Sequence, residues 1–173
     1  VADFDDVKTI AEARAQIHRF GVLTNSEVAA AARIAEIDAA LAELRGAARG
    51  RALSVLPYAR RGWVSGRDTL MSDLLREAGL FSAASALGIG YGGFVRLEQV
   101  VALKPDAMLL AEEPGKAEDQ GVAMLAHPVL DRLFPPERRL IVPERFTVCG
   151  GAMLAEAMRQ LARQITKLKP RSQ

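Results

Sequence analysis

Four groups of residues in this 173-residue chain have the types and spacing to do chemistry. Gly88-Ile89-Gly90-Tyr91-Gly92-Gly93 satisfies the Gly-x-Gly-x-x-Gly spacing of a dinucleotide loop. Such a loop needs its glycines in the turn between a strand and a helix, so that a pyrophosphate meets the helix N-terminus. Here Ser82 to Leu87 are small and polar rather than a β-branched strand, and an acidic ribose partner would have to be Glu112-Glu113. A glycine loop at a domain rim is the better reading. A nucleotide-binding enzyme using Gly88, Gly90 and Gly93 stands as the alternative.

The second group, Tyr58-Ala59-Arg60-Arg61-Gly62-Trp63-Val64-Ser65-Gly66, holds the only tryptophan and one of two tyrosines. It directly follows an apolar run at 52–56, and ligands of open α/β sheets bind beyond the carboxyl ends of strands. Paired arginines beside Trp63 and Tyr58 suit an anionic, planar ligand through charge and stacking. The other reading has Trp63 plugging the edge of the core and the arginines solvated. Tyr91 and the pair Arg145-Phe146 follow other elements and can reach the same rim.

The remaining candidates read as structure. Glu112-Glu113 and Glu118-Asp119 sit in a polar turn or at a helix start, where carboxylates favour the helix dipole. Ser65-Gly66 lacks the Gly-x-Ser-x-Gly elbow of serine hydrolases. Cys149, the single cysteine, precedes two glycines but has no neighbouring histidine, and reads as a small core residue. Two histidines, His18 and His127, argue against a zinc or histidine-based catalytic centre. Neither an enzyme nor a resident metal or cofactor is expected.

Composition narrows the classes further. Half the residues are hydrophobic and a quarter charged, as in an ordinary globular domain, which excludes a disordered chain. A formal charge of +2 with scattered basic residues and few aromatics argues against nucleic acid. No apolar run reaches the length of a membrane span. The chain opens at Val1 without a visible secretory signal, which reads as a processed or truncated product.

The elements that must position these groups fall into two stretches. Residues 1–50 read as a helical spine. One amphipathic helix from Phe4 to Phe20 is stopped by Gly21 as a C-terminal cap. A second, opened by a Thr24–Glu27 capping box, carries Ile34, Ile37, Leu41 and Leu44 on one stripe and ends near Gly46. Residues 51–173 alternate strand and helix: a strand at 52–56, a helix at 69–78, a loop at 79–93, a helix from Lys116 to Ala126, a helical turn at 127–133, a strand at 139–142 and a last helix from Gly150-Gly151 to about Lys167. The compact unit from Val95 to Leu110 is an amphipathic helix stopped at Lys104-Pro105, then an unbroken apolar strand. This order predicts a three-layer α/β/α sandwich with a mostly parallel sheet.

The pieces Trp63-Val64-Ser65-Gly66, Ser72 to Gly79, Leu97-Glu98 through Pro105-Asp106, and Val142-Pro143 through Cys149-Gly150-Gly151 resemble the C-terminal lobe of the periplasmic substrate-binding proteins of iron-siderophore, haem and vitamin B12 ABC importers. Residues 5–48 look like that family's rigid linking helix. The resemblance implies a receptor in the periplasm or another extracytoplasmic space. Its ligand, a ferric siderophore, haem or cobalamin, would lie against Tyr58, Arg60, Arg61, Trp63, Tyr91, Arg145 and Phe146. It also implies an ABC permease as partner, met by Glu98. The family's N-terminal lobe has no counterpart among these residues, and the bare apolar rim left by its absence invites a second copy of the chain.

Overall fold

A computed structural model describes residues 6–111, 125–147, 151 and 153–168. The expected helix at 116–126, the pairs Glu112-Glu113 and Glu118-Asp119, Cys149 and the start of the last helix at Gly150 lie mostly or wholly outside the described residues.

Helix α1 spans Ile10–Leu23 and starts later than the apolar pattern predicts. Its start is fixed by a capping box that the spacing analysis overlooked. The Thr9 hydroxyl accepts from the Glu12 amide at 3.0 Å, and the Glu12 carboxylate accepts from the amides of Lys8 (2.7 Å) and Thr9 (3.1 Å). Gly21 does not cap α1 but lies buried inside its last turn, where an added Cβ would stand 2.5 Å from the Ala30 Cβ. Its value is close approach to helix α2, Glu27–Ala48. The box expected at Thr24 is also absent: the Thr24 hydroxyl donates back to the Phe20 carbonyl at 2.8 Å, and Ser26 takes the N-cap position of α2.

Four strands form the main sheet: β1 (Ser54–Pro57), β3 (Phe81–Ser82), β5 (Ala107–Leu110) and β6 (Arg139–Ile141). Their order is β3-β1-β5-β6 and every pairing is parallel, with Leu56 opposite Met108 and Leu109 opposite Leu140. A separate antiparallel ribbon joins β2 (Trp63–Ser65) to β4 (Gly92–Phe94). Helices α3 (Leu70–Glu77), α4 (Leu97–Leu103), α5 (Pro128–Leu133) and α6 (Leu154–Ile165) complete the described elements.

Strand alternation builds the layers. Val55, Ala107, Leu109 and Leu140 point into one core with Ile37, Leu41 and Leu44 of α2, Leu74 and Leu75 of α3, and Met158 and Leu161 of α6. Leu56, Met108 and Leu110 point into the other, with Val100 of α4, Leu130 of α5 and Phe134. The result is the expected α/β/α sandwich. Helices α1 and α2 contribute to the same core as the sheet, because the stripe from Ile37 to Leu44 lies along α6.

The Pro105-Asp106 turn ties the amino ends of β1 and β5. Asp106 Oδ2 accepts from the Ser54 amide and hydroxyl, both at 2.9 Å, while the Asp106 amide donates to the Ser54 carbonyl at 2.8 Å. Arg138 holds the same turn, donating to the carbonyls of Asp106 (2.8 Å), Pro105 (3.2 Å) and Leu133 (3.1 Å).

Candidate functional site: a cleft at the carboxyl edge of the sheet

From β1 the chain passes through α3 to β3 on one side, then crosses back to β5 on the other. The crevice between the carboxyl ends of β1 and β5 is therefore the point where an open α/β sheet takes a ligand. A cleft of about 370 Å³ opens there. Its floor is Pro57 and Tyr58 at the end of β1, Leu109 to Ala111 at the end of β5, and Val142 after β6. One wall is the ribbon, through Trp63 and Ser65, with Tyr91 beside it. The other comes from Thr69, Leu70 and Met71 at the head of α3, together with Asp6, Val7, Lys8 and Thr147.

Main-chain bonds hold the end of β1 against β5 and fold the chain back into the ribbon. The Tyr58 amide donates to the Leu109 carbonyl at 2.8 Å, the Ala59 amide to Trp63 at 2.7 Å and the Val95 amide to Gly62 at 2.9 Å. Between them the chain turns at Arg60–Gly62, with Arg61 (φ 59°) and Gly62 (φ 78°) both left-handed. Trp63 is half-buried and meets Phe94 edge to face, with ring centroids 5.1 Å apart and planes at 77°.

Tyr58 is 2% exposed, and its hydroxyl is buried with no hydrogen-bond partner. Burial pushes its pKa above the ordinary tyrosine value, because the phenolate is the form that loses hydration. An orphaned hydroxyl in an apolar core is costly, and Tyr58 is where the cleft floor carries that cost.

Trp63 and Tyr91 are thus brought to one cleft, while Tyr58, at its floor, has its side chain packed in the core with Leu56, Val64 and Val95. The arginines are not brought to it. Arg60 and Arg61 are exposed in the turn that opens the ribbon, and Arg145 lies over the Phe146 ring at 4.6 Å. Phe146 itself is 8% exposed and packs into the core, so its ring lies inside the lobe rather than on the cleft wall. Its neighbour Thr147 lines the cleft instead. Helix α4 descends to the start of β5, so its first turn, bearing exposed Glu98, stands at the cleft end of the molecule.

The Gly88 to Gly93 loop does not have the context of a nucleotide cradle. A short 3₁₀ helix at 83–87 precedes it and strand β4 follows, where the fingerprint needs a strand before and a helix after. The carbonyls of Ile89, Gly90 and Tyr91 accept from the amides of Arg67, Asp68 and Gly66 at 3.1, 2.8 and 2.9 Å. A phosphate would need donors at these positions. The loop instead forms the rim of the cleft, and Gly66 is the residue that lets the two backbones meet: an added Cβ would stand 2.6 Å from the Ile89 carbonyl oxygen.

Sequence reasoning missed the lining residues Ser65, Thr69, Met71 and the 6–8 segment, and the packing of Phe94 against Trp63. Phe94 carried a usable signal, an aromatic directly after the glycine pair Gly92-Gly93. Using it required knowing that β4 pairs with β2.

A parallel sheet with a partly apolar, open cleft beyond its carboxyl ends, framed by aromatic side chains, defines the lobe of a small-molecule binding protein. The sequence model of the periplasmic binding protein family matches residues 1–133, and the chain belongs to that family, which comprises binding proteins rather than enzymes. None of the curated proteins matches it.

Solved structures share the fold at low identity. The apo form of the periplasmic haem-binding protein RhuT from Roseiflexus sp. RS-1 superposes with a TM-score of 0.72 at 21% identity, over 93% of this chain and 64% of that one. The periplasmic haem-binding protein BhuT in complex with two haems gives 0.73 at 23%, over 98% and 67%. An ABC-type Fe3+-hydroxamate transport protein from Saccharomonospora viridis DSM 43017 gives 0.71 at 20%, over 94% and 58%. This chain therefore spans between 58% and 67% of the length of these neighbours.

Proposed function

We propose that the cleft holds an iron chelate or related metal complex (a ferric siderophore, haem or cobalamin) and that the chain is the C-terminal lobe, residues 51–173, and linking helices, residues 1–50, of the receptor of an ABC importer. The single observation behind this reading is that Tyr58, Trp63 and Tyr91, from three separate segments, meet at the switch point of a binding-protein lobe. The names of the structural neighbours, haem-binding and Fe3+-hydroxamate transport proteins, support the same ligand class.

In this reading Trp63 and Tyr91 stack on the chelate, and Tyr58 shapes the floor beneath it. Arg60, Arg61 and Arg145 stand back from the wall as counter-charges for acidic groups at the mouth. Glu98 meets the permease from the cleft end of α4. The setting is extracytoplasmic, and the open aromatic rim is also where a second copy of the chain would dock in the absence of ligand.

Fluorescence titration tests the ligand class, because Trp63 is the only tryptophan. Haemin, ferrioxamine B and cobalamin are each added to the protein. Saturable quenching by one of them supports the reading; no response to any, with a response to NAD or ATP, overturns it. Glu98→Arg tests the docking role: ligand binding should persist while uptake fails.

A further inference from the structure

We propose that Asp73 is a positioning residue of the cleft: by capping helix α1 from within helix α3, its buried carboxylate holds residues 6–8 in place as part of the cleft wall. This inference rests on the reading of the cleft as a chelate site.

Among the described residues Asp73 is the only charged one that is buried, at 3% exposed. A carboxylate in such a place is costly unless its oxygens are engaged. Both are. Oδ2 accepts from the Ile10 amide at 2.8 Å, across 63 residues of sequence, and Oδ1 meets the guanidinium of Arg76. Arg76 is largely exposed and lies one turn along the same helix, so it balances the charge without reaching α1.

Ile10 is the first residue of α1, where the amides have no partner within the helix. The local capping box takes up the amides of Lys8, Thr9 and Glu12. The Ile10 amide is left to Asp73, whose negative charge also suits the amino end of the helix dipole. Ile10 and Ala13 pack into the same core as Leu70 and Leu74, and that apolar contact holds the two helices together. It is not directional. The hydrogen bond is, and it fixes where α1 begins.

This position bears on the cleft from both sides. Asp73 belongs to the first turn of α3, its amide donating to the Thr69 carbonyl at 2.9 Å, and Thr69, Leu70 and Met71 of that turn line the cleft. Residues 6–8 line it too, directly before the capped turn of α1, with the Lys8 amide gripped by Glu12. One wall is thus assembled from two segments distant in the chain, and the bond from Ile10 to Asp73 sets one against the other. The far end of α3 offers a tie of similar chemistry that does not touch the cleft: Arg45 of α2 donates to the Glu77 carbonyl and carboxylate, both at 2.7 Å.

A wall that is in place only part of the time lowers apparent affinity by that fraction. The test uses wild type, Asp73→Ala, Asp73→Asn and Arg45→Met. Haemin, ferrioxamine B and cobalamin are titrated by Trp63 fluorescence, and amide exchange of the ligand-free proteins is followed by mass spectrometry. Asp73→Ala should bind the chelate that wild type accepts about tenfold more weakly, as expected for a lost bond to a charged group. Its exchange should rise in the peptide covering 6–13 and not in α6. Asp73→Asn, which keeps an acceptor for Ile10 but not the charge, should lose about threefold. Arg45→Met should lower the unfolding midpoint and leave affinity unchanged.

Equal affinity in wild type and Asp73→Ala overturns the inference while the proposed function stands. Exchange that rises as much in α6 as in 6–13 does the same, since it marks a general loss of stability. So does an equal loss of affinity in Arg45→Met. Should Asp73→Ala fail to fold, the isosteric Asp73→Asn decides by the same two readouts. If wild type binds none of the three chelates, the reading of the cleft fails and the inference falls with it.

Discussion

The two ends of the parallel sheet are built on opposite principles. At the amino end of β1 and β5 the polar groups are closed on one another: Ser54 and Asp106 exchange hydrogen bonds in both directions, and Arg138 takes up the carbonyls of Pro105, Asp106 and Leu133. At the carboxyl end, a few residues along the same two strands, Tyr58 carries an unpartnered hydroxyl, and Tyr91 and Phe94 stand open beside the half-buried Trp63. The strands therefore have a finished end and an unfinished one. Most buried polar groups are satisfied, and an end that leaves one open is suited to something that arrives from outside.

Substitutions at the two ends should separate stability from binding. Asp106→Ala removes both bonds accepted from Ser54 and should cost about 3 kcal/mol in urea unfolding, with ligand affinity of the folded fraction unchanged. A parallel loss of affinity would show that the ends are coupled and break the comparison. Arg138→Met keeps an unbranched apolar stem but removes the guanidinium that lies over the Phe134 ring and strands three carbonyls, and about 2 kcal/mol of destabilisation is expected, again without an effect on binding.

Trp63→Ala reverses the pattern. Chelate affinity should fall roughly tenfold or more, as for an aromatic hot spot, while stability moves by less than about 1 kcal/mol because the ring is half-exposed. A large fall in the unfolding midpoint instead would reassign Trp63 to the core.

The smallest effect is expected at Tyr58. Its pKa is raised by burial, so the folded state holds the phenolic proton more tightly than the unfolded chain does. The stability this provides is fully present below the unfolded value of about 10 and is lost as pH rises through the folded value. Tyr58→Phe should flatten that alkaline limb of the stability profile. At neutral pH it should be neutral or stabilising by about 1 kcal/mol, since it removes an orphaned hydroxyl. A marked loss of stability at neutral pH would mean that the hydroxyl is bonded after all, and the contrast between the ends would weaken.

Much of this architecture was legible in the sequence because its signals are local. The apolar runs of β1, β5 and β6, the stripe from Ile37 to Leu44 and the proline after Lys104 each act within a few residues. What was not legible depended on distant partners. Thr9-x-x-Glu12 and Thr24-x-x-Glu27 carry the same capping pattern, yet only the first is used, because Thr24 is engaged by the end of the preceding helix. The three-residue strands β2 and β4 are too short to alternate visibly, and two of the three residues of β4 are glycine, so they read as loops. Misreading them hid Phe94 and left Gly92 as one glycine among several.

By itself the sequence determined the class of fold, the sandwich of helices around a parallel sheet, and the loops that lie at its open edge. Those follow from periodicity, turn chemistry and chain order, which are properties of neighbouring residues. Only the tertiary structure decided which aromatic groups share a face, that the arginines stand back from the wall, that Phe146 packs inside, and that Gly21, Gly66 and Gly92 are points of close approach rather than caps or cradles. These depend on pairing between segments far apart in the chain, where a single register places Trp63 over Gly92 and against Phe94.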